Sequence, residues 1–110
     1  MAKETNDMVI TGQTPEGKLV YDIFKMVDTH GLPLEIVLDV LTEHNALPDW
    51  VAFYEGCFKQ GMKPDRILLR IEIGMVDFHP HPGYRETVMG MMNGYVKVRE
   101  KYRKSKNLPV

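Results

Sequence analysis

Two groups of basic residues in the second half of the sequence have the types and spacing that could bind nucleic acid. The first lies between Phe53 and Val76, a stretch that reads as two helices joined by a glycine turn (FYEGCFKQGMKPDRILLRIEIGMV). The outward side chains of its second helix would be Lys63, Arg66 and Arg70. An arginine can pair with O6 and N7 of guanine, and a lysine can neutralise a phosphate. The second group, in the segment KVREKYRKSK at 97–106, would add phosphate contacts through Lys97, Arg99, Lys101, Arg103 and Lys104.

The stretch 53–76 is similar to the helix-turn-helix pattern of DNA-binding proteins. Cys57 is a small residue four positions before Gly61, which forms the turn, and Ile67 is the aliphatic residue that packs the second helix on the first. Gly56 and Arg70 depart from the pattern, because apolar side chains are usual at both positions. The first functional prediction is a non-enzymatic regulatory protein that binds duplex nucleic acid through this pair of helices and the basic C-terminal helix.

A second cluster with possible chemistry lies in the segment from Asp77 to Gly83 (DFHPHPG). Its two prolines forbid a helix, so the segment is predicted to be a loop. Asp77, His79 and His81 would offer one carboxylate and two imidazoles, which suit zinc or another transition metal. The alternative is a pair of exposed loop histidines, because His-Pro-His is not a known ligand spacing.

No motif of an enzyme accompanies these residues. A glycine-rich phosphate loop, a Gly-x-Ser-x-Gly sequence and a His-Glu-x-x-His sequence are all missing from the chain. Cys57 could act as a nucleophile beside a histidine, but it lies on the apolar stripe of its helix and is predicted to be buried and unreactive. The sequence therefore predicts neither catalysis nor a cofactor.

The charges are divided unevenly along the chain. The formal net charge is −1, but residues 1–58 contain three Lys/Arg and ten Asp/Glu, whereas residues 59–110 contain eleven Lys/Arg and five Asp/Glu. Such asymmetry indicates an anionic partner for one half or head-to-tail self-association. The single cysteine fits a reducing compartment, and no segment is apolar enough for a signal peptide or a membrane span. We therefore expect a cytoplasmic protein that does not contact membranes.

The periodicity of apolar residues predicts an all-α fold, a compact bundle of about five short helices around the helix-turn-helix-like pair. Four helix starts carry a proline, at Thr14-Pro15-Glu16, Pro33, Pro48-Asp49 and Pro64, and the last helix is predicted to run from Tyr84 to Lys104. The predicted domain is 14–104, between a flexible tail at 1–13 and a second tail at 105–110. Alternation of apolar residues over 67–76 leaves a strand open as a second possibility there.

Two glycines interrupt the last predicted helix. Gly90 and Gly94 lie four residues apart, where glycine costs about 1 kcal/mol each in helix stability. Either a neighbouring helix of the same domain packs closely on them, or they form a self-association face. The second reading supports the alternative function, a protein–protein interaction or structural module that forms a homodimer, because the nearby group of Met89, Met91 and Met92 also suits partner binding.

Overall fold

The structure is a computed structural model that describes residues 8–108. Within these residues the chain forms three strands and five helices: β1 (Val9–Gln13), β2 (Leu19–Asp22), α1 (Phe24–Asp28), α2 (Leu34–Glu43), β3 (Leu47–Pro48), α3 (Trp50–Lys59), α4 (Pro64–Gly74) and α5 (Tyr84–Ser105). The strands form one sheet in the order β1-β2-β3, with β1 and β2 antiparallel and β2 and β3 parallel. The helices pack on each other beside this sheet.

The prediction of an all-α fold is wrong, because the start of the first predicted helix forms the turn and the second strand of a β-hairpin. Thr14-Pro15-Glu16 does not start a helix but begins a turn, in which Gly17 donates its backbone N–H to the Thr14 carbonyl at 2.9 Å. Gly17 has a φ of 92°, which only glycine adopts easily, and this reverses the chain. Leu19–Asp22 then pairs with Val9–Gln13. The helical spacing of apolar residues from Leu19 onward is therefore realised as a helix only over Phe24–Asp28.

Parts of both segments predicted as tails have defined secondary structure. Val9–Gln13, placed in the flexible N-terminal tail, is a strand whose backbone is paired with β2, although the Val9 and Ile10 side chains are exposed. The prediction for residues 1–7 lies outside the described residues. At the other end, α5 includes Ser105, and Leu108 donates its N–H to the Arg103 carbonyl at 2.8 Å, which closes a turn after the helix. The prediction for residues 109–110 lies outside the described part of the chain.

The remaining helices begin where local chemistry favours a start. Asp49 caps α3, because its carboxylate accepts the Ala52 N–H at 3.0 Å. Pro64 occupies the first turn of α4, where its missing N–H costs nothing. The segment 67–76, for which a strand was the second possibility, is helical up to Gly74 and turns after it. The propensity of its leucines and the contacts of its inner face both favour the helix.

Helix α3 lies at the centre of the core. Phe53, Tyr54 and Cys57 on α3 are buried against Ile67 and Ile71 of α4. Met92 of α5 and the apolar face of α2 belong to the same core. The Trp50 indole N–H donates to the Tyr84 hydroxyl at 3.0 Å, which joins the starts of α3 and α5, and burial raises the pKa of Tyr84 to about 12.

Gly56 on α3 and Gly74 on α4 each allow a side chain from another helix to pack directly against the backbone. A Cβ on Gly56 would lie 2.4 Å from Cγ of the Phe24 ring, and a Cβ on Gly74 would lie 2.3 Å from a Leu34 methyl carbon. Gly56 was one of the two departures from the helix-turn-helix pattern, and the ring of Phe24 explains it. The side chain of Phe24 occupies the space that an apolar residue of α3 would have filled.

Candidate functional site

The turn between α3 and α4 has the glycine that the sequence predicts, but Arg70 does not face outward from it. Gly61 has a φ of 94° and links the two helices. The Arg70 guanidinium lies 5.4 Å from the centre of the Phe53 ring, and its Nη1 donates to Cys57 Sγ at 3.7 Å. This cation–π contact holds α4 on α3. The guanidinium of Arg70 therefore packs on α3. This contact explains why an arginine stands where the helix-turn-helix pattern usually has an apolar side chain.

The buried Cys57 thiol is unsuited to nucleophilic chemistry. Its side chain is 1% exposed. Burial raises the pKa of the thiol above its ordinary value, and the charge of Arg70 offsets only part of this rise. Because a thiolate, not a thiol, is the nucleophile, Cys57 stays unreactive near neutral pH.

The outer face of α4 is apolar where a DNA-reading helix would be polar. Leu69 and Ile73 are 50% and 55% exposed, and they lie beside the exposed Arg66. Together with the start of α2 they form an open groove of about 430 Å³, lined by Pro33, Leu34, Glu35, Met62, Arg66, Leu69, Arg70, Ile73 and Gly74. Lys63 precedes α4 and is exposed. Base edges are read by hydrogen-bonding side chains, so Leu69 and Ile73 suit a protein surface better than a base pair.

The basic residues of α5 fall into two sets. Arg99 belongs to the first set, because it forms a two-pronged ion pair with Glu55 of α3, with Nε at 2.6 Å from Oε2 and Nη2 at 3.0 Å from Oε1. Its guanidinium also stacks 4.0 Å from the centre of the Phe58 ring, and Arg103 lies 5.6 Å from the same ring. These two arginines hold α5 against α3, and we do not assign them to phosphate binding.

The carboxylate of Glu55 also accepts the Tyr95 hydroxyl, so three side chains meet at the junction of α3 and α5. The hydrogen bond from Arg99 lowers the pKa of Glu55 below its ordinary value, although partial burial opposes this. Burial and the bond to Glu55 raise the pKa of Tyr95 to about 12. The phenol therefore stays protonated and the carboxylate ionised at neutral pH, which is the arrangement of a structural contact.

Lys97, Lys101 and Lys104 form the second set. All three are exposed on α5, and they make no ion pair within the residues that the structure describes. Among the residues predicted to bind nucleic acid, these lysines, Lys63 and Arg66 keep their charges exposed to solvent. Arg70 and Arg99 instead direct their charges to Phe53 and to Glu55.

The glycines of α5 are open to solvent. A Cβ added to Gly90 or Gly94 would meet nothing within 4 Å. Close packing of a neighbouring helix of the same domain, the first of the two explanations from the sequence, is therefore wrong. Self-association through Gly90 and Gly94 stays a prediction.

The structure does not assemble a metal site in the histidine loop. Asp77, His79 and His81 are exposed, and among residues 8–108 no group of three or more His, Cys, Asp or Glu could hold a metal ion. His81 Nδ1 lies 3.0 Å from the Pro82 carbonyl oxygen, and its ring stands edge-on to Tyr84 at 5.3 Å. These contacts fix His81 as part of the loop preceding α5.

Sequence reasoning did not single out Leu69 and Ile73, the exposed apolar side chains of the groove. They lie four residues apart on α4, opposite the buried Ile67 and Ile71. The helix therefore carries more apolar residues than a single inward-facing stripe can hold. The excess was the available signal. The pairing of Arg99 with Glu55, 44 residues apart, left no local signal in the sequence.

Comparison with known proteins gives no relative from which a function could be transferred: no family model, no curated protein and no solved structure matches the chain. In residues 8–108, none of the helices has the length and apolar character needed to cross a membrane. The cytoplasmic location stays a prediction.

Proposed function

We propose that the protein is a protein-interaction module that binds an amphipathic, acidic helical segment of a partner in the groove between α4 and the start of α2. The observation that carries the proposal is the pair of apolar side chains, Leu69 and Ile73, that face solvent beside Arg66. Soluble proteins rarely leave such side chains grouped in a concave surface unless something covers them.

The groove has the features of a helix-binding surface. Most of its lining residues are apolar, with Leu69 and Ile73 contributed by α4 and Leu34 by the start of α2. Burying apolar surface favours association, and helices that bind grooves present apolar residues every three or four positions. A partner segment with this spacing would cover both side chains.

The charges at the groove set the polarity of the partner. Arg66 is exposed on the α4 wall and can pair with a carboxylate, while Glu35 stands on the α2 wall. An acidic residue of the partner is therefore favoured beside α4 and disfavoured beside Glu35. Charged residues at the rim of an interface contribute mainly to specificity and to the rate of association.

Nucleic-acid binding is the competing class, and it is retained as an outcome of the test. Lys97, Lys101 and Lys104 remain exposed on α5 and could contact phosphates. The outer face of α4 does not support base reading, because Leu69 and Ile73 occupy the positions where polar side chains would be needed.

The test uses two synthetic helical peptides with the same leucine spacing, one with glutamates and one with lysines beside the leucines. Each labelled peptide is titrated with the protein, and fluorescence anisotropy reports binding. We expect the acidic peptide to bind more tightly, and Leu69→Ser together with Ile73→Ser to weaken its binding about tenfold or more. Met91→Ser removes an equally exposed apolar side chain from α5 and is the matched control.

Two outcomes would overturn the proposal. Equal binding of both peptides would exclude an acidic partner, and binding that the α4 substitutions leave unchanged would show that the groove is not the site. The same titration with duplex DNA separates the competing class. If the protein binds DNA but neither peptide, and alanine at Lys97, Lys101 and Lys104 removes the DNA binding, nucleic-acid binding is the function.

A further inference from the structure

The outer face of α2 carries a row of acids beside a row of apolar side chains. Glu35, Asp39 and Glu43 are exposed at intervals of four residues, and we call them the acidic row. Ile36 is 48% exposed and Val40 is half-buried next to them. The inner face of this helix is already fully used in the core.

The outer face of α5 has the same organisation with the opposite charge. Lys97, Lys101 and Lys104 are exposed at intervals of four and three residues, and we call them the lysine row. Val98 is 70% exposed and Tyr102 is 58% exposed beside them. Val98 and Tyr102 are among the most exposed large apolar side chains of the described residues.

Among residues 8–108, neither row has an ion-pair partner. Both faces are exposed at the same time in the folded chain, so α5 cannot be covering α2 of the same molecule. Two complementary faces that are both left open can be covered by another copy of this chain.

The positions around each helix decide the direction in which the two faces fit. With about 100° between successive residues, the acidic row lies about 20–100° to one side of Ile36, and the lysine row lies about 60–120° to the same side of Val98. Val40 and Tyr102 each lie about 40° to the other side. Two faces with charges on the same side match only when the helices run antiparallel, because a parallel arrangement sets the charges of each helix against the apolar row of the other.

A single antiparallel register then satisfies both rows. It places Lys97 opposite Glu43, Lys101 opposite Asp39, and Lys104 opposite Glu35. In the same register Val98 faces Val40, and Tyr102 faces Ile36. The lengths agree, since at 1.5 Å per residue the acidic row spans about 12 Å and the lysine row about 10.5 Å.

From this match we propose that the protein self-associates, with α5 of one copy lying antiparallel on α2 of a second copy through the lysine row and the acidic row. The contact is heterologous, because it joins two different faces. Each copy offers both faces, so a pair of copies can exchange two such contacts or a series of copies can extend. The proposal does not depend on the groove beside α4, because Leu69 and Ile73 take no part in the contact and only Glu35 belongs to both surfaces.

The first test measures self-association by sedimentation velocity over a range of protein concentrations. We expect wild type to associate at low salt and to dissociate at about 1 M salt, where the electrostatic screening length falls to about 3 Å. Charge reversal at two positions of either row, Lys97→Glu with Lys101→Glu or Asp39→Lys with Glu43→Lys, should weaken association about tenfold or more. Lys25→Glu and Glu16→Lys reverse exposed charges that belong to neither helix and should leave association unchanged.

Mixing the two double variants gives the sharper test. The K97E/K101E protein keeps a native acidic row, and the D39K/E43K protein keeps a native lysine row. An equimolar mixture should therefore associate more than either variant alone, because one native contact forms between them. The protein that carries all four substitutions exchanges the two signs and should recover association.

Several results would overturn the proposal. A wild-type protein that stays monomeric at low salt and at the highest concentration reached would do so. An effect of K97E/K101E without any effect of D39K/E43K would show that α5 pairs with something other than α2, and a mixture no more associated than its components would exclude a heterologous contact. Circular dichroism of each variant confirms that the exposed substitutions leave the fold intact.

Discussion

The junction of α3 and α5 and the outer face of α4 both place an arginine beside hydrophobic side chains. They differ in whether that arginine has a carboxylate and an aromatic partner within the chain. At the junction, Arg99 has a carboxylate partner in Glu55 and a ring beneath it in Phe58, and only 11% of its side chain is exposed. On α4, the exposed Arg66 lies beside Leu69 and Ile73, which also remain exposed. One region is satisfied within the chain, and the other is not.

The difference shows that positive charge in the sequence does not identify a binding surface. Arg99 stands in the most basic segment of the chain, but its charge is used to hold two helices together. Arg66 stands in a less basic segment, and its charge remains open to a partner. Function is therefore better sought where exposed charge and exposed apolar surface coincide than where charge is densest.

Replacing Arg99 should have the largest effect on stability. Arg99→Ala removes both ion-pair hydrogen bonds to Glu55 and the stacking on Phe58, so we expect the free energy of unfolding to fall by about 2–3 kcal/mol. Urea denaturation measures the change. Arg66→Ala is the matched control and should stay within about 0.5 kcal/mol of wild type. Equal effects of the two substitutions would contradict the distinction between the regions.

Adding one carbon to α3 tests a contact on its other side. Gly56→Ala would place a Cβ 2.4 Å from the Phe24 ring, so the ring must move. Overpacking costs about 1–3 kcal/mol, and the better helix propensity of alanine returns about 1 kcal/mol. We therefore expect a net loss of about 0–2 kcal/mol in the free energy of unfolding, measured by thermal or urea denaturation. A gain in stability would mean that Phe24 does not approach Gly56 closely.

The same substitution on the open face of α5 should have the opposite sign. Gly90→Ala adds a Cβ that meets nothing, so the helix propensity should raise the free energy of unfolding by about 0.8 kcal/mol. Gly61→Ala is the control, since its Cβ is equally free but its φ of 94° is unfavourable for alanine. The measurement is made at low protein concentration. Destabilisation by Gly90→Ala would show that another surface packs on α5.

Local signals in the sequence predict the helices after Pro33 better than the part before it. Proline and aspartate mark the starts of α3 and α4, and both helices begin there. The segment from Thr14 to Phe24 was misread because its apolar residues satisfy a helical period and its proline suits a helix start. The turn at Gly17 and the pairing with Val9–Gln13 make Leu19–Asp22 a strand. Pairing between two segments cannot be read from the spacing of apolar residues within one of them.

The candidate site shows the same limit. Exposed charges such as Arg66 follow from the inward stripe of α4, because residues opposite a buried stripe face solvent. The contacts of Arg70 and Arg99 cannot be predicted in this way, because each is made with side chains of another helix. Gly90 and Gly94 could have been explained by close packing, but the close approaches occur at Gly56 and Gly74, where a neighbouring side chain fills the space.

The smallest effect we predict is the contribution of the Glu55 ion pair to the pH dependence of stability. Arg99 lowers the pKa of Glu55 in the folded protein below its ordinary value. The stabilisation is therefore fully present above the ordinary glutamate pKa, and it is lost as the pH falls through the folded value. Wild type should lose about 0.5 kcal/mol more than Glu55→Gln between about pH 5 and pH 3, a small difference because Glu55 is partly exposed.

Urea denaturation at a series of pH values measures this difference, and Glu16→Gln controls for the loss of one exposed carboxylate. Glu16→Gln should follow the wild-type curve in shape, because the Glu55 pair is intact in it. If Glu55→Gln also follows the wild-type curve, the carboxylate gains nothing from Arg99. The junction of α3 and α5 would then owe its stability to the rings of Phe58 and Tyr54 and not to charge, and the contrast with α4 would have to be drawn on apolar contact alone.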